Sequence, residues 1–158
     1  MIVALSATPV LAQEVKLLQK YNDWAAYTSE GSPKVCFAVS QPRDSSPKNV
    51  RRGPIYFYVS HYPGDKIAGE ISVKMGYPFA PGAKVTVTIG SDKFELFTKD
   101  EGGFVEKTED EAKLVGALKS GSSMTVQGRS ARGTSTSDNY SLSGTTDALE
   151  RIAKECSG

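Results

Sequence analysis

The residues best suited to chemistry are two cysteines, Cys36 and Cys156, and one histidine, His61; the chain has no others of either type. The cysteines lie far apart, which excludes a redox Cys-x-x-Cys motif, and two are too few for a four-cysteine metal site. In an exported protein an even cysteine count favours a disulfide, here Cys36–Cys156. Two alternatives stay open: unlinked buried thiols in a cytosolic protein, and Cys36 as a nucleophile.

A nucleophilic cysteine or serine would need His61 as its base, because the chain has no other histidine. His61 stands at a strand end beside Tyr62 and Pro63, outside any catalytic motif, so a structural histidine is expected. The glycines of GYPFAPGAK and DEGGF fit turns, since neither run has the spacing of a phosphate or dinucleotide loop. We therefore predict no enzymatic activity, no catalytic residues, no metal site and no cofactor.

A basic cluster in the segment RDSSPKNVRRGP, together with tyrosines on the strand that follows, is the candidate binding site. The candidate residues are Arg43, Lys48, Arg51, Arg52, Tyr56 and Tyr58. Cations beside aromatic rings suit an anionic glycan, a lipid headgroup or an acidic partner. Arg129 and Arg132 form a similar but smaller pair. The alternative interpretation of both clusters is a solvated loop without a ligand.

The total charge excludes a strong attraction for nucleic acid. The chain has 19 basic and 18 acidic residues, a net charge of +1. A nearly neutral surface supplies no general field for a polyanion, so we predict no nucleic-acid partner. With 158 residues, of which 39% are hydrophobic, the chain has the size and composition of one globular domain.

The first twelve residues, MIVALSATPVLA, are apolar and uncharged, and a polar run follows them. This pattern predicts a truncated signal peptide over residues 1–12, with cleavage after Ala12, and a single domain over residues 13–158. The alternative is a buried N-terminal strand. No later apolar run approaches the length of a transmembrane helix, so the protein is not expected to span a membrane.

Alternation of apolar and polar residues predicts about seven or eight short strands. They lie in WAAY, KVCFAV, IYFYVSHY, AGEISVKM, KVTVTI, KFELFTK, SSMTVQGRS and DNYSLSG. Helical spacing appears in TEDEAKLVGALKSG, with Thr108 as N-cap, and in TTDALERIAKEC. Before the first strand, Leu17, Leu18 and Tyr21 indicate a short amphipathic turn. The pattern predicts a mainly β fold: an antiparallel β-sandwich or partly closed barrel with two short covering helices.

The order of these segments resembles the invasion-associated locus B family. The resemblance runs from the tryptophan-led strand through VCFAVSQP, the basic loop, FELFTK, ALKSG and SSMTVQGRS to the last helix, and Cys36 and Gln41 match the family's Cys-x-x-x-x-Q pattern. It implies a β-rich domain exported by alphaproteobacteria, periplasmic, secreted or associated with the outer envelope. The family is named for a role in host-cell entry by pathogens, and the resemblance implies no assigned enzymatic activity.

The leading hypothesis is an exported, non-enzymatic, envelope-associated protein that binds a protein or a cell-envelope component. The alternative is a periplasmic carrier that encloses a small apolar ligand or a lipid. An enzyme that uses Cys36 and His61 is the third hypothesis.

Overall fold

Antiparallel strands dominate the structure, a computed structural model that describes residues 14–157. The strands are β1 (Val15–Tyr21), β2 (Trp24–Ser29), β3 (Cys36–Ser40), β4 (Asp44–Ser46), β5 (Tyr56–Tyr62), β6 (Ile67–Lys74), β7 (Val85–Ile89), β8 (Asp92–Lys99), β9 (Gly102–Phe104), β10 (Ser123–Arg129) and β11 (Ser135–Ser141). The helices are α1 (Thr108–Ser120) and α2 (Thr145–Glu155). The predicted signal peptide, residues 1–12, lies outside the described residues.

The strands of the described region form one antiparallel sheet, in the order β1-β2-β3-β5-β6-β9-β8-β7-β10-β11-β4. Strand β8 joins its two halves, because its first part pairs with β7 and its last three residues pair with β9. The sheet is not closed, since β1 and β4 remain as its edges.

Aromatic contacts across the core hold the two halves of the sheet face to face. The ring of Phe57 on β5 lies 5.9 Å from that of Tyr140 on β11, in the other half of the sheet, and 6.0 Å from that of Trp24 on β2, in its own half. The Trp24 Nε1–H donates a hydrogen bond to the carbonyl of Ser141, 2.9 Å away. The predicted mainly β, antiparallel fold with two short helices is confirmed, in the form of one sheet folded over on itself.

The alternation found in the sequence defines the two faces of the sheet. On β7, Val85, Val87 and Ile89 are buried, whereas the threonines between them are half-buried. On β3, Cys36, Ala38 and Ser40 are buried, whereas the two residues between them are half-buried. Along these two strands every second side chain therefore packs in the core, and the others form an outer face that is available for contacts.

Both predicted helices form, but the N-cap of α1 differs from the prediction. Thr108 is the first helical residue of α1, and Lys107 occupies the N-cap position. Gly144, with a φ of 92°, precedes α2. A Cβ atom on Gly144 would overlap the carbonyl oxygen of Tyr21, so the close approach of β1 to α2 requires glycine there.

The predicted amphipathic turn near the N-terminus is wrong, because residues Val15–Tyr21 form an edge strand. This strand, β1, pairs with β2 through a two-residue turn in which Asn22 adopts a φ of 54°. Asparagine tolerates that left-handed conformation better than most residues. Cross-strand pairing therefore overrides the helical spacing of Leu17, Leu18 and Tyr21.

The predicted disulfide is present and fastens α2 to β3. The sulfur atoms of Cys36 and Cys156 are bonded, and their Cα atoms lie 6.1 Å apart. Cys36 is fully buried. The last helix is thus linked covalently to the third strand across 120 positions of sequence.

We predict that replacing both cysteines by serine lowers the free energy of unfolding by about 4 kcal/mol, because the unfolded chain regains the entropy of a long loop. Urea unfolding followed by the fluorescence of Trp24 measures this loss. Reduced wild-type protein serves as the matched control and should lose a similar amount. A loss below about 1 kcal/mol in both samples would contradict the prediction.

Candidate functional site

The segment between β3 and β5, residues 41–55, carries the predicted basic cluster and is tied to the sheet at several points. The backbone N–H of Arg43 donates to the carbonyl of Asn139 at 2.8 Å, and that of Gly53 donates to the carbonyl of Gly76 at 2.8 Å. Between them, β4 pairs with β11. The segment is therefore a fixed border of the sheet, although its composition predicts only a loop.

Arg52 is buried in an ion pair with Asp138 of β11. Its Nη1 lies 2.7 Å from Asp138 Oδ1 and its Nη2 lies 2.9 Å from Oδ2. The side chains of the two residues are 7% and 0% exposed. Nε and Nη2 also donate to the carbonyl of Met75, at 3.1 and 2.8 Å. The charge of Arg52 is thus neutralised internally, so the structure separates Arg52 from the exposed members of the predicted cluster.

Two tyrosines, Tyr77 and Tyr140, lie close to this ion pair. The Arg52 guanidinium carbon lies 4.9 Å from the centre of the Tyr77 ring, a cation–π contact, and the Tyr77 hydroxyl lies 2.6 Å from Thr136 Oγ1. The Tyr140 hydroxyl is buried and has no hydrogen-bond partner within residues 14–157. Burial, and next the charge of Asp138, raise the pKa of Tyr140 far above its usual value, so this phenol stays protonated.

Four aromatic rings form a row on the outer face of β2, β3 and β5. We call Tyr27, Phe37, Tyr58 and Tyr56 the aromatic face. Tyr27 and Phe37 stack with ring centres 5.3 Å apart, Phe37 meets Tyr58 at 5.8 Å, and Tyr58 meets Tyr56 at 5.7 Å. All four side chains are half-buried. Burial, with a smaller contribution from Tyr56, raises the pKa of Tyr58, so this phenol stays protonated at neutral pH.

A depression of about 500 Å³ lies beside the aromatic face. Lys20, Tyr27, Val39, Arg43 and Tyr56 are among its lining residues. Two of the predicted site residues, Arg43 and Tyr56, therefore meet at one concave surface. Tyr27 and Phe37, the other members of the aromatic face, are not among the site residues predicted from the sequence, although their alternation with the buried residues of β2 and β3 is the available signal.

The other exposed members of the predicted cluster lie elsewhere. Lys48 is exposed and pairs with Asp44 at 3.2 Å, a surface contact that contributes little to stability. Arg51 lines a second depression, of about 390 Å³, together with Arg52, Tyr77 and Arg132. The structure thus divides the predicted cluster between two surfaces, and the predicted binding role of its residues stays a prediction.

His61 is placed as a structural residue. Its Nδ1 accepts a hydrogen bond from the backbone N–H of Gly69 at 2.8 Å, which requires an unprotonated nitrogen. Burial lowers the pKa of His61, so the neutral ring is favoured further. Cys36, opposite it on β3, is oxidised in the disulfide and carries no thiol for nucleophilic attack. In the described part of the chain, no group of three or more His, Cys, Asp or Glu side chains is placed to hold a metal ion.

Comparison with known proteins identifies one family. The family model described as "Invasion associated locus B (IalB) protein" matches residues 24–153, which is most of the chain. No curated protein and no solved structure matches the chain. Within residues 14–157, no helix has the length and apolar character needed to cross a membrane.

We predict that Asp138→Ala lowers the free energy of unfolding by about 3 to 5 kcal/mol, because it leaves the Arg52 charge buried without its partner. The double variant Arg52→Met, Asp138→Leu should lose clearly less, since it removes both charges and fills the space. Urea unfolding of both variants and the wild type tests this. Equal losses in the two variants would show that the ion pair is not the source of the effect.

Proposed function

Because the chain belongs to the invasion-associated locus B family, we propose that it is an exported, envelope-associated protein that acts by binding and not by catalysis. The disulfide supports export, since such bonds persist in oxidising compartments such as the periplasm or the cell exterior and are rare in the cytosol. The proposed partner is a protein or a component of the cell envelope.

The aromatic face is the proposed contact surface, and its position carries the proposal. Four aromatic rings, each in contact with the next, lie on the outer side of the sheet and do not pack in the core. Tyrosine and arginine are enriched where proteins bind partners, because they combine a large apolar area with polar groups. Two cations, Lys20 and Arg43, and one carboxylate, Asp23, line the adjacent depression, so its net positive charge favours a partner with acidic groups.

The carrier alternative would need space inside the sheet for an apolar ligand. Within the described residues, Trp24, Phe57, Met75 and Tyr140 are among the largest fully buried side chains and occupy the core. No observation favours a carrier over a surface-binding protein, and a ligand that co-purifies with the native protein would be its supporting result.

We predict that the double variant Arg43→Glu, Tyr56→Ala binds isolated envelope fractions at least about tenfold more weakly than the wild type. Arg43 is exposed and Tyr56 is half-buried, so the free energy of unfolding should change by no more than about 1 kcal/mol. Co-sedimentation with envelope fractions measures binding, and urea unfolding measures stability.

The matched control is Lys93→Glu, Phe97→Ala, which removes an exposed cation and a partly exposed ring from β8, outside the depression. It should bind like the wild type. Unchanged binding of the Arg43, Tyr56 variant, or equal weakening of both variants, would remove the aromatic face from the proposal.

A further inference from the structure

The second depression has the size and position of a small-molecule site separate from the aromatic face. Its walls are the end of the β3–β5 segment, the chain after β6 and the turn between β10 and β11. We call this depression, lined by Arg51, Arg52, Tyr77, Pro78 and Arg132, the arginine cleft. Its volume of about 390 Å³ falls in the range of ligand pockets.

Unpaired positive charge converges on the arginine cleft. Arg51 and Arg132 lie on different walls, both are exposed, and neither forms an ion pair with any residue in the described range 14–157. No acidic residue is among the residues that line the cleft. The nearby charge of Asp138 is neutralised by its ion pair with Arg52. Two like charges facing one concavity repel each other, and an anion bound between them would relieve that repulsion.

The walls of the cleft are held in place before any ligand binds. The backbone N–H of Ala131 donates to the carbonyl of Pro78 at 2.8 Å, which joins the β10–β11 turn to the chain after β6. On the other side, Gly53 donates to Gly76 at 2.8 Å. Gly76 has a φ of 75°, and a Cβ there would overlap Gly53, so the contact depends on glycine. A preformed site loses less entropy when its ligand binds.

The chemistry of the lining narrows the ligand class. Arginine presents planar, paired N–H donors that match phosphate oxygens, and two arginines suit a group with two negative charges. Pro78 and Ala131, both exposed, add apolar surface next to these cations, whereas Tyr77 is buried beneath Arg52. We propose that the arginine cleft binds a phosphate monoester on a small organic group, held by Arg51 and Arg132 with the group against Pro78 and Ala131.

Such a phosphate has two sources, a soluble metabolite or the headgroup of a lipid, and two probes separate them. Isothermal titration of the wild type with glycerol 3-phosphate at low ionic strength tests the soluble form. Co-sedimentation with vesicles of phosphatidylcholine, with and without phosphatidic acid, tests the headgroup. The same measurements are made on Arg51→Gln and Arg132→Gln, and on Lys113→Gln, which removes an exposed charge from α1 outside the cleft.

Saturable binding of either probe that weakens about tenfold or more in each arginine variant, and is unchanged in Lys113→Gln, supports the proposal. The probe that binds then identifies the source. Absence of saturable binding to both probes overturns it, as does an equal effect of all three variants, which would indicate nonspecific attraction to the total charge. The Arg43, Tyr56 surface is not altered in these variants, so their outcome is independent of the proposed envelope binding.

Discussion

The buried contact of Arg52 with Asp138 and the Met75 carbonyl fixes the segment that carries the basic residues against the sheet. It joins the segment before β5, the end of β6 and strand β11, which belong to facing halves of the folded sheet. Taking two charges out of water is costly, and the bidentate geometry together with the bonds to Met75 offsets that cost. With Arg52 fixed, the neighbouring Arg51 is held at the mouth of the arginine cleft.

Two other connections keep the folded sheet from opening, and each uses a residue far away in the chain. The Trp24 indole reaches the carbonyl of Ser141, and the Cys36–Cys156 disulfide holds α2 against β3. An open sheet with two edges gains from such cross-links because no closing hydrogen-bond ladder joins its ends. The core is thereby packed, and the aromatic face and the arginine cleft remain on the outside as two separate proposed binding surfaces, one broad and partly apolar, one small and cationic.

Period-two alternation in the sequence predicts most strands, and the even cysteine count predicts the disulfide, because both signals are local or compositional. The burial of Arg52 could not be predicted, since its partner lies 86 positions away and no pattern near RDSSPKNVRRGP marks it. The sequence predicts only two of the four rings of the aromatic face. Tyr56 and Tyr58 alternate on one strand, but the contact of this pair with Tyr27 and Phe37 depends on the strand order. The strand Val15–Tyr21 was missed because pairing with β2, and not its own spacing, determines its conformation.

The most direct measurement of the central claim is an NMR spectrum of the arginine side-chain Nε–H groups in the native protein near neutral pH. If Arg52 anchors the segment as described, its Nε–H, bonded to the Met75 carbonyl, should give a separate signal that exchanges slowly with water. That signal should be lost in Arg52→Met and kept in Arg51→Gln. An Arg52 signal that exchanges as fast as those of the exposed arginines would contradict a fixed, buried ion pair and the preformed cleft that depends on it.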